Sequence, residues 1–155
     1  MKLVDLTRDH IATVVHDLPA DEWKQVFAFC GPLSAETFIE AVSRLPAPNW
    51  AFVDDHGTAL VVGGFTRGVH PDCLQSWFLA SSRAWRDYAH AVTAMTAERI
   101  QWALSEGGAK RVETVCLESR KAAHRWYEKL GMRFSHTSHH FDGGENAVTY
   151  YIGGR

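Results

Sequence analysis

Between Lys110 and Phe134 the chain reads as a strand, a short connection, a helix closed by glycine and the start of another strand, and every other element can be placed relative to that stretch. Arg111 to Glu118 is the first strand. In the helix Ala122, Ala123, Trp126, Tyr127 and Leu130 recur at spacings of three and four, which puts them on one buried face, while Lys121, Arg125, Glu128 and Lys129 face water. Gly131 stops the helix as a glycine in the left-handed conformation does. Met132-Arg133-Phe134 then opens the next strand.

Upstream, Lys2 to Leu6 alternates polar and apolar residues as a short strand, and Thr7 is a suitable N-cap for a helix from Arg8 to Asp17. Ala20 to Cys30 repeats the helical pattern with Trp23, Val26, Phe27 and Cys30 inward, and Gly31-Pro32 ends it. Ser34 caps a third helix carrying Phe38, Ile39, Val42 and Leu45, stopped by Pro46 and Pro48. The period then changes. Trp50 to Asp54 and Thr58 to Thr66 form a hairpin with Gly57 at a position of positive φ, and Gly63-Gly64 predicts a bulge or a close backbone approach. Cys73 to Ala80 is a buried strand. Ser81-Ser82 caps a long helix to about Glu106, with an inner line of Trp85, Ala89, Val92, Thr96, Ile100 and Ala103-Leu104, ended by Gly107-Gly108. After the stretch described first come a strand from Met132 to about Phe141, a loop over Asp142-Gly143-Gly144-Glu145-Asn146 and a last strand from Ala147 to Ile152.

With 155 residues, 46% apolar and 22% charged, the chain suits a single globular domain over 1–155. No apolar run approaches the ~20 residues that span a bilayer, and the first residues lack a signal peptide's apolar segment, so we expect a cytoplasmic protein with no membrane partner. Cys30, Cys73 and Cys116 are odd in number and widely spaced, which suits buried thiols in a reducing compartment. The absence of CxxC argues against a structural zinc. A formal charge of −2 argues against a nucleic-acid partner, and the basic face around Lys121, Arg125 and Lys129 reads as solvated.

The run Ala122-Ala123-His124-Arg125-Trp126-Tyr127-Glu128-Lys129-Leu130-Gly131-Met132, placed after a strand, resembles the last conserved block of the GNAT superfamily, the acetyl-CoA-dependent N-acetyltransferases. The order of elements matches the arrangement known for that family. The resemblance implies an α+β (α/β) fold with a mixed, mostly antiparallel central sheet of about six to seven strands flanked by helices, its fourth and fifth strands parallel and splayed. It also implies acetyl-CoA as cofactor and a small-molecule or protein amine as acceptor.

By the same resemblance Tyr127 is the general acid that protonates the departing thiolate, a step suited to a phenol of pKa ~10 facing a thiol near ~8.5. The same residue also lies on the apolar line of its helix, where a tyrosine serves as core. A pyrophosphate needs free backbone N–H groups at a helix start. The family's phosphate turn, R/Q-x-x-G-x-G/A, matches Arg86-Asp87-Tyr88-Ala89-His90-Ala91, with Ala89 in place of the first glycine and Asp87 adding a negative charge. Leu79, Ala80 and Ser81 lead into it. Ala123 lines the cofactor by the same register, and Arg120 stands where the family commonly has asparagine. Glu113 is the candidate base, with Glu118, Asp72 and His70 as further ones. His136, His139 and His140 do not share one strand face and make no metal site. Trp77, Trp85, Trp102 and Trp126 read as core.

A second resemblance covers most of the chain from about Trp50. Ser76-Trp77-Phe78-Leu79-Ala80-Ser81-Ser82-Arg83-Ala84-Trp85, without a glycine loop, looks like small GNAT-like proteins of short-tailed bacteriophages, some of them internal virion or assembly proteins. It implies a fold kept after its chemistry was lost, with phage structural proteins as partners and the host cytoplasm or virion as location.

Overall fold

A computed structural model describes residues 1–142 and 144–153, and for 140–142 the backbone alone. Seven strands form one sheet in the order β1-β2-β3-β4-β5-β7-β6. Those strands are β1 (Lys2–Asp5), β2 (Asn49–Val53), β3 (Ala59–Arg67), β4 (Cys73–Ala80), β5 (Arg111–Leu117), β6 (Arg133–Asp142) and β7 (Glu145–Gly153). The helices are α1 (Arg8–His16), α2 (Ala20–Cys30), α3 (Ala35–Ser43), α4 (Ser82–Ser105) and α5 (Lys121–Lys129). β4 and β5 run parallel, whereas β1 with β2, β2 with β3, β5 with β7 and β7 with β6 run antiparallel.

Internal contacts divide the chain into two compact units, Met1–Thr66 with Trp77–Ala94, and Arg67–Ser76 with Met95–Arg155. The first unit packs Ile11, Val14 and Val15 of α1 and Phe38, Ile39 and Val42 of α3 against Ala51, Val53, Ala59 and Val62 of the β2–β3 hairpin. Each of the Val, Ile and Phe side chains, fully buried, contributes on the order of 1.5–3 kcal/mol. Thr7 caps α1 as expected, in a reciprocal box with His10, and Ser34 caps α3. Gly57 turns the hairpin at φ 81°. Asp54 Oδ1 completes that turn by accepting the N–H groups of His56 and Thr58, both at 2.9 Å.

Gly63-Gly64 marks a close approach. A Cβ on Gly64 would stand 2.6 Å from Trp77 Nε1 and 2.8 Å from the Pro48 carbonyl oxygen. The bulge of this hairpin sits elsewhere, between Phe52 and Val53.

Several burial expectations need correction. Phe27 and Cys30 on α2 are exposed, so its inner face narrows to Glu22, Val26 and half-buried Trp23. On α4 the buried line is Ala84, Val92, Thr96, Ile100 and Ala103, and Ala89 faces solvent. On α5 Ala122 is exposed and His124 is half-buried, which rotates the inner face by about one position. Trp85, Trp102 and Trp126 are half-buried, as is Trp77, which does pack against the core of the first unit, and Trp50 is buried. Of the expected loop over 142–146, Asp142 belongs to β6 and Glu145 and Asn146 to β7; Gly143 lies outside the described residues.

Candidate functional site

Leu79, Ala80 and Ser81 are buried where β4 ends, and α4 follows at once from Ser82. The helix start that should offer free donors is closed. The Ser81 N–H bonds the Leu60 carbonyl at 2.9 Å and the Ser82 N–H bonds the Asp17 carbonyl at 2.8 Å. The Arg83 N–H goes to Asp17 Oδ2 at 3.1 Å, and the Ala84 N–H to Ser81 Oγ at 3.0 Å. The orphan donors of a helix N-terminus therefore all have acceptors within the chain, two of them on Asp17, the residue that ends α1. The Ser82 hydroxyl also donates to the Asp17 carbonyl, at 3.1 Å.

Arg86 to Ala91 is not a turn. The register expected to wrap the phosphates lies inside α4, from its second turn onward, where backbone N–H groups serve the helix. Arg86 is exposed, with its guanidinium on the Asp87 carboxylate at 2.9 and 3.0 Å. That bond holds the Asp87 carboxyl below its ordinary range, with the charges of Arg86 and Arg83 adding to it. Arg83 also reaches Asp54 Oδ2 at 2.9 Å. The Asp54 side chain is buried; its pKa is lowered first by the Thr58 N–H, then by the His56 N–H and by Arg83, against the opposing effect of burial. Glu22 is a second buried carboxylate here, with the Trp85 indole N–H at 3.5 Å, and nothing in the helical pattern distinguished it from an exposed first-turn acid.

In the other unit the parallel ladder of β4 and β5 has three pairs, from Cys73↔Arg111 to Gln75↔Glu113. It ends where side chains replace backbone donors: Gln75 Nε2 and Ser76 Oγ both donate to the Glu113 carbonyl, at 3.3 and 3.1 Å. The Glu113 carboxylate is tied to Arg111 Nε at 2.6 Å, and Arg111 lies over the Tyr151 ring at 3.9 Å. Glu118 accepts from Asn146 Nδ2 at 2.8 Å. Asp72 is ion-paired to Lys110 at 2.8 Å, a bond that holds its carboxyl below the usual range, and its N–H donates to His70 Nδ1.

α5 carries Arg120 at its N-cap, without a side-chain capping bond, then half-buried Ala123 and buried Tyr127. The Tyr127 ring packs on Trp126 and Tyr150 with centroids at 5.6 and 5.5 Å. His124, which the sequence pattern passed over, puts Nδ1 at 2.9 Å from the Tyr150 hydroxyl and Nε2 at 3.1 Å from the Leu117 carbonyl oxygen. Cys116 Sγ lies 3.8 Å from Nε2, but burial pushes this thiol up to about 11, so it is no nucleophile.

Among the described residues no group of three His, Cys, Asp or Glu side chains is placed to hold a metal ion, and the His140 side chain lies outside them. No single helix among them is long and apolar enough to cross a membrane.

No family model matches the sequence, and no curated protein does. Solved structures match along nearly the whole chain. An acetyltransferase of the GNAT family from Bacillus anthracis superposes with a TM-score of 0.75 at 13% identity, over 97% of this chain and 93% of that one. A spermidine N-acetyltransferase variant from Vibrio cholerae gives 0.75 at 10% identity, over 99% and 95%. A GCN5-related N-acetyltransferase from Kribbella flavida gives 0.68 at 16% identity, over 98% and 96%. At such identities the likeness is one of architecture, and the chain has the GNAT fold.

Proposed function

We propose that this protein is a GNAT-type N-acetyltransferase that moves an acetyl group from acetyl-CoA to the amine of a small molecule or protein. The observation supporting this reading is the arrested ladder of β4 and β5. The parallel pair stops at Glu113, whose carbonyl accepts from the Gln75 and Ser76 side chains, and a parting of the fourth and fifth strands is what the resemblance to GNAT enzymes implies. The amine attacks the thioester carbon, the C–N bond forms and the C–S bond breaks. Tyr127 supplies the proton to sulfur, and the amine's proton leaves through water to Glu113. Ala123 on α5 takes the pantetheine end. Arg120 meets a phosphate. Calorimetry with millimolar acetyl-CoA tests the reading; binding heat followed by acetylation of an amine panel is expected, and no heat would sink it.

The closed start of α4 favours a second reading. With Asp17 and Ser81 on its donors, the backbone cradle for a pyrophosphate is taken, and Asp17 adds a negative charge beside it. On this reading the chain is a catalytically silent GNAT-fold protein of a bacteriophage that works by protein contacts in the particle or its assembly. Absence of acetyl-CoA binding, together with this chain in purified particles by mass spectrometry, is its signature.

A further inference from the structure

α5 is a nine-residue helix, short enough to be marginal alone. Its N-cap Arg120 makes no side-chain capping bond, its first turn has no acidic residue, and Lys121 and Ala122 are exposed. Its placement against the sheet must therefore come from the side chains it buries. Two of these, His124 and Tyr127, meet the same partner on β7. Tyr127 packs on the Tyr150 ring at 5.5 Å, and His124 takes the Tyr150 hydroxyl at 2.9 Å.

Both ring nitrogens of His124 have a partner. A carbonyl oxygen only accepts, so the 3.1 Å contact to Leu117 makes Nε2 a donor; in the neutral imidazole Nδ1 then accepts from the Tyr150 hydroxyl. The imidazole thus ties α5 to β5 through one nitrogen and to β7 through the other. Tyr150 is 5% exposed and boxed by the rings of His124, Tyr127 and Phe134, so its hydroxyl has little freedom to turn elsewhere.

We infer that His124, acting through the Tyr150 hydroxyl, is the positioning residue that sets where the Tyr127 ring stands. The inference rests on the acetyltransferase reading only for what Tyr127 does chemically; the placement of the ring stands apart from it. Glu128 on α5, Cys116 on β5 and the Arg120 and Lys121 side chains are the other charged or titratable groups about the pair.

The test uses the full chain as wild type, Tyr150→Phe, His124→Phe and His124→Asn. Tyr150→Phe keeps the ring and removes the hydroxyl, while His124→Asn offers an amide oxygen near the Nδ1 position. The first readout is the NMR cross-relaxation between Tyr127 and Tyr150 ring protons. It is expected to be lost in His124→Phe and Tyr150→Phe and largely kept in His124→Asn. The second is acetyl transfer, with kcat expected to fall about tenfold to a hundredfold in the first two variants and KM for acetyl-CoA unchanged. Should His124→Phe fail to fold, Tyr150→Phe and His124→Asn carry the comparison. Ring contact and kcat kept at wild-type levels in folded Tyr150→Phe would overturn the inference. A wild type that acetylates nothing removes the acetyltransferase reading instead, and the ring contact alone then decides: its loss in Tyr150→Phe sustains the inference and its persistence overturns it.

Discussion

The carboxylate of Asp17 accepts the backbone N–H of Arg83 at 3.1 Å, so the residue that ends α1 also closes the start of α4. A helix start closed by a carboxylate is stabilised by the bond and by the dipole, and both have to be given up before another anion can bind there.

Asp17→Ala should therefore cost about 0.5–2 kcal/mol, the usual value of a lost capping oxygen, read from the urea midpoint. The Ser82 bond to the residue 17 carbonyl survives this change, which keeps the effect in that range. Acetyl-CoA affinity should rise in the variant if pyrophosphate competes for the Arg83 N–H. An unchanged midpoint would show that the bond contributes nothing.

Restoring glycines within α4 should fail to create a phosphate turn. Asp87→Gly with Ala89→Gly places two glycines inside a helix, at about 1 kcal/mol for Ala89 and a few tenths for Asp87, and releases Arg86 from its partner. We expect lower thermal stability and no gain in acetyl-CoA binding. A marked gain would mean that this part of α4 unwinds to meet the cofactor.

Gly64→Ala should be among the most damaging single methyl additions. The new Cβ would meet the Pro48 carbonyl oxygen at 2.8 Å and Trp77 Nε1 at 2.6 Å, and backbone on one side leaves little room to yield. A loss of about 1–3 kcal/mol is expected in denaturant unfolding, the cost of overpacking. Gly57→Ala serves as the contrast, because it meets only the strain of φ 81° with open space around it.

Acid should weaken the first unit through Asp54. Its folded pKa lies below the ordinary value, chiefly through the Thr58 N–H, so in acid the unfolded chain binds the proton more readily than the folded one. The resulting stabilisation is complete above the ordinary carboxylate range and is lost as pH falls below about 4. Thermal melts of Asp54→Asn against wild type check this. The variant should be less stable at neutral pH, and the difference should shrink in acid.

Thiol labelling should separate the cysteines. Cys30 is exposed and Cys116 is fully buried with its thiol at about 11, while Cys73 is 8% exposed. A disulfide reagent at pH 8 should modify Cys30 in the native protein, slowed by the upward shift that partial desolvation gives its thiol, and reach the other two after denaturation. Prompt native labelling of Cys116 would contradict the packing of β5.

Much of the fold was legible in the sequence. Alternation, N-caps such as Thr7 and Ser34, and stops such as Gly131 are local signals, and they gave the element order to within a residue or two at most ends. The α5 block was readable because its glycine and its apolar spacing agree. The site was less legible. Arg86 to Ala91 fits a loop motif by composition, yet Ser81 caps the helix early and the motif falls inside it. Ala89 and Ala122 illustrate a second limit: alanine is small enough to lie on either face of a helix, so counting it as apolar shifted the inner line of both α4 and α5. Asp17 and His124 could not be found by pattern, since each acts on a partner distant in sequence, Arg83 and Tyr150.

β6 ends the strand order, so one of its backbone edges is left to template another chain. Two interruptions break its register with β7, after Phe134 and after Ser138, and Arg133, His136 and His139 stand exposed along it. Exposed Phe134 interrupts this polar set, and the broken register together with the charged and imidazole side chains discourages fibril growth by stacking. Replacing Arg133, His136 and His139 with valine should raise the tendency of the chain to associate as its concentration rises, which light scattering would report.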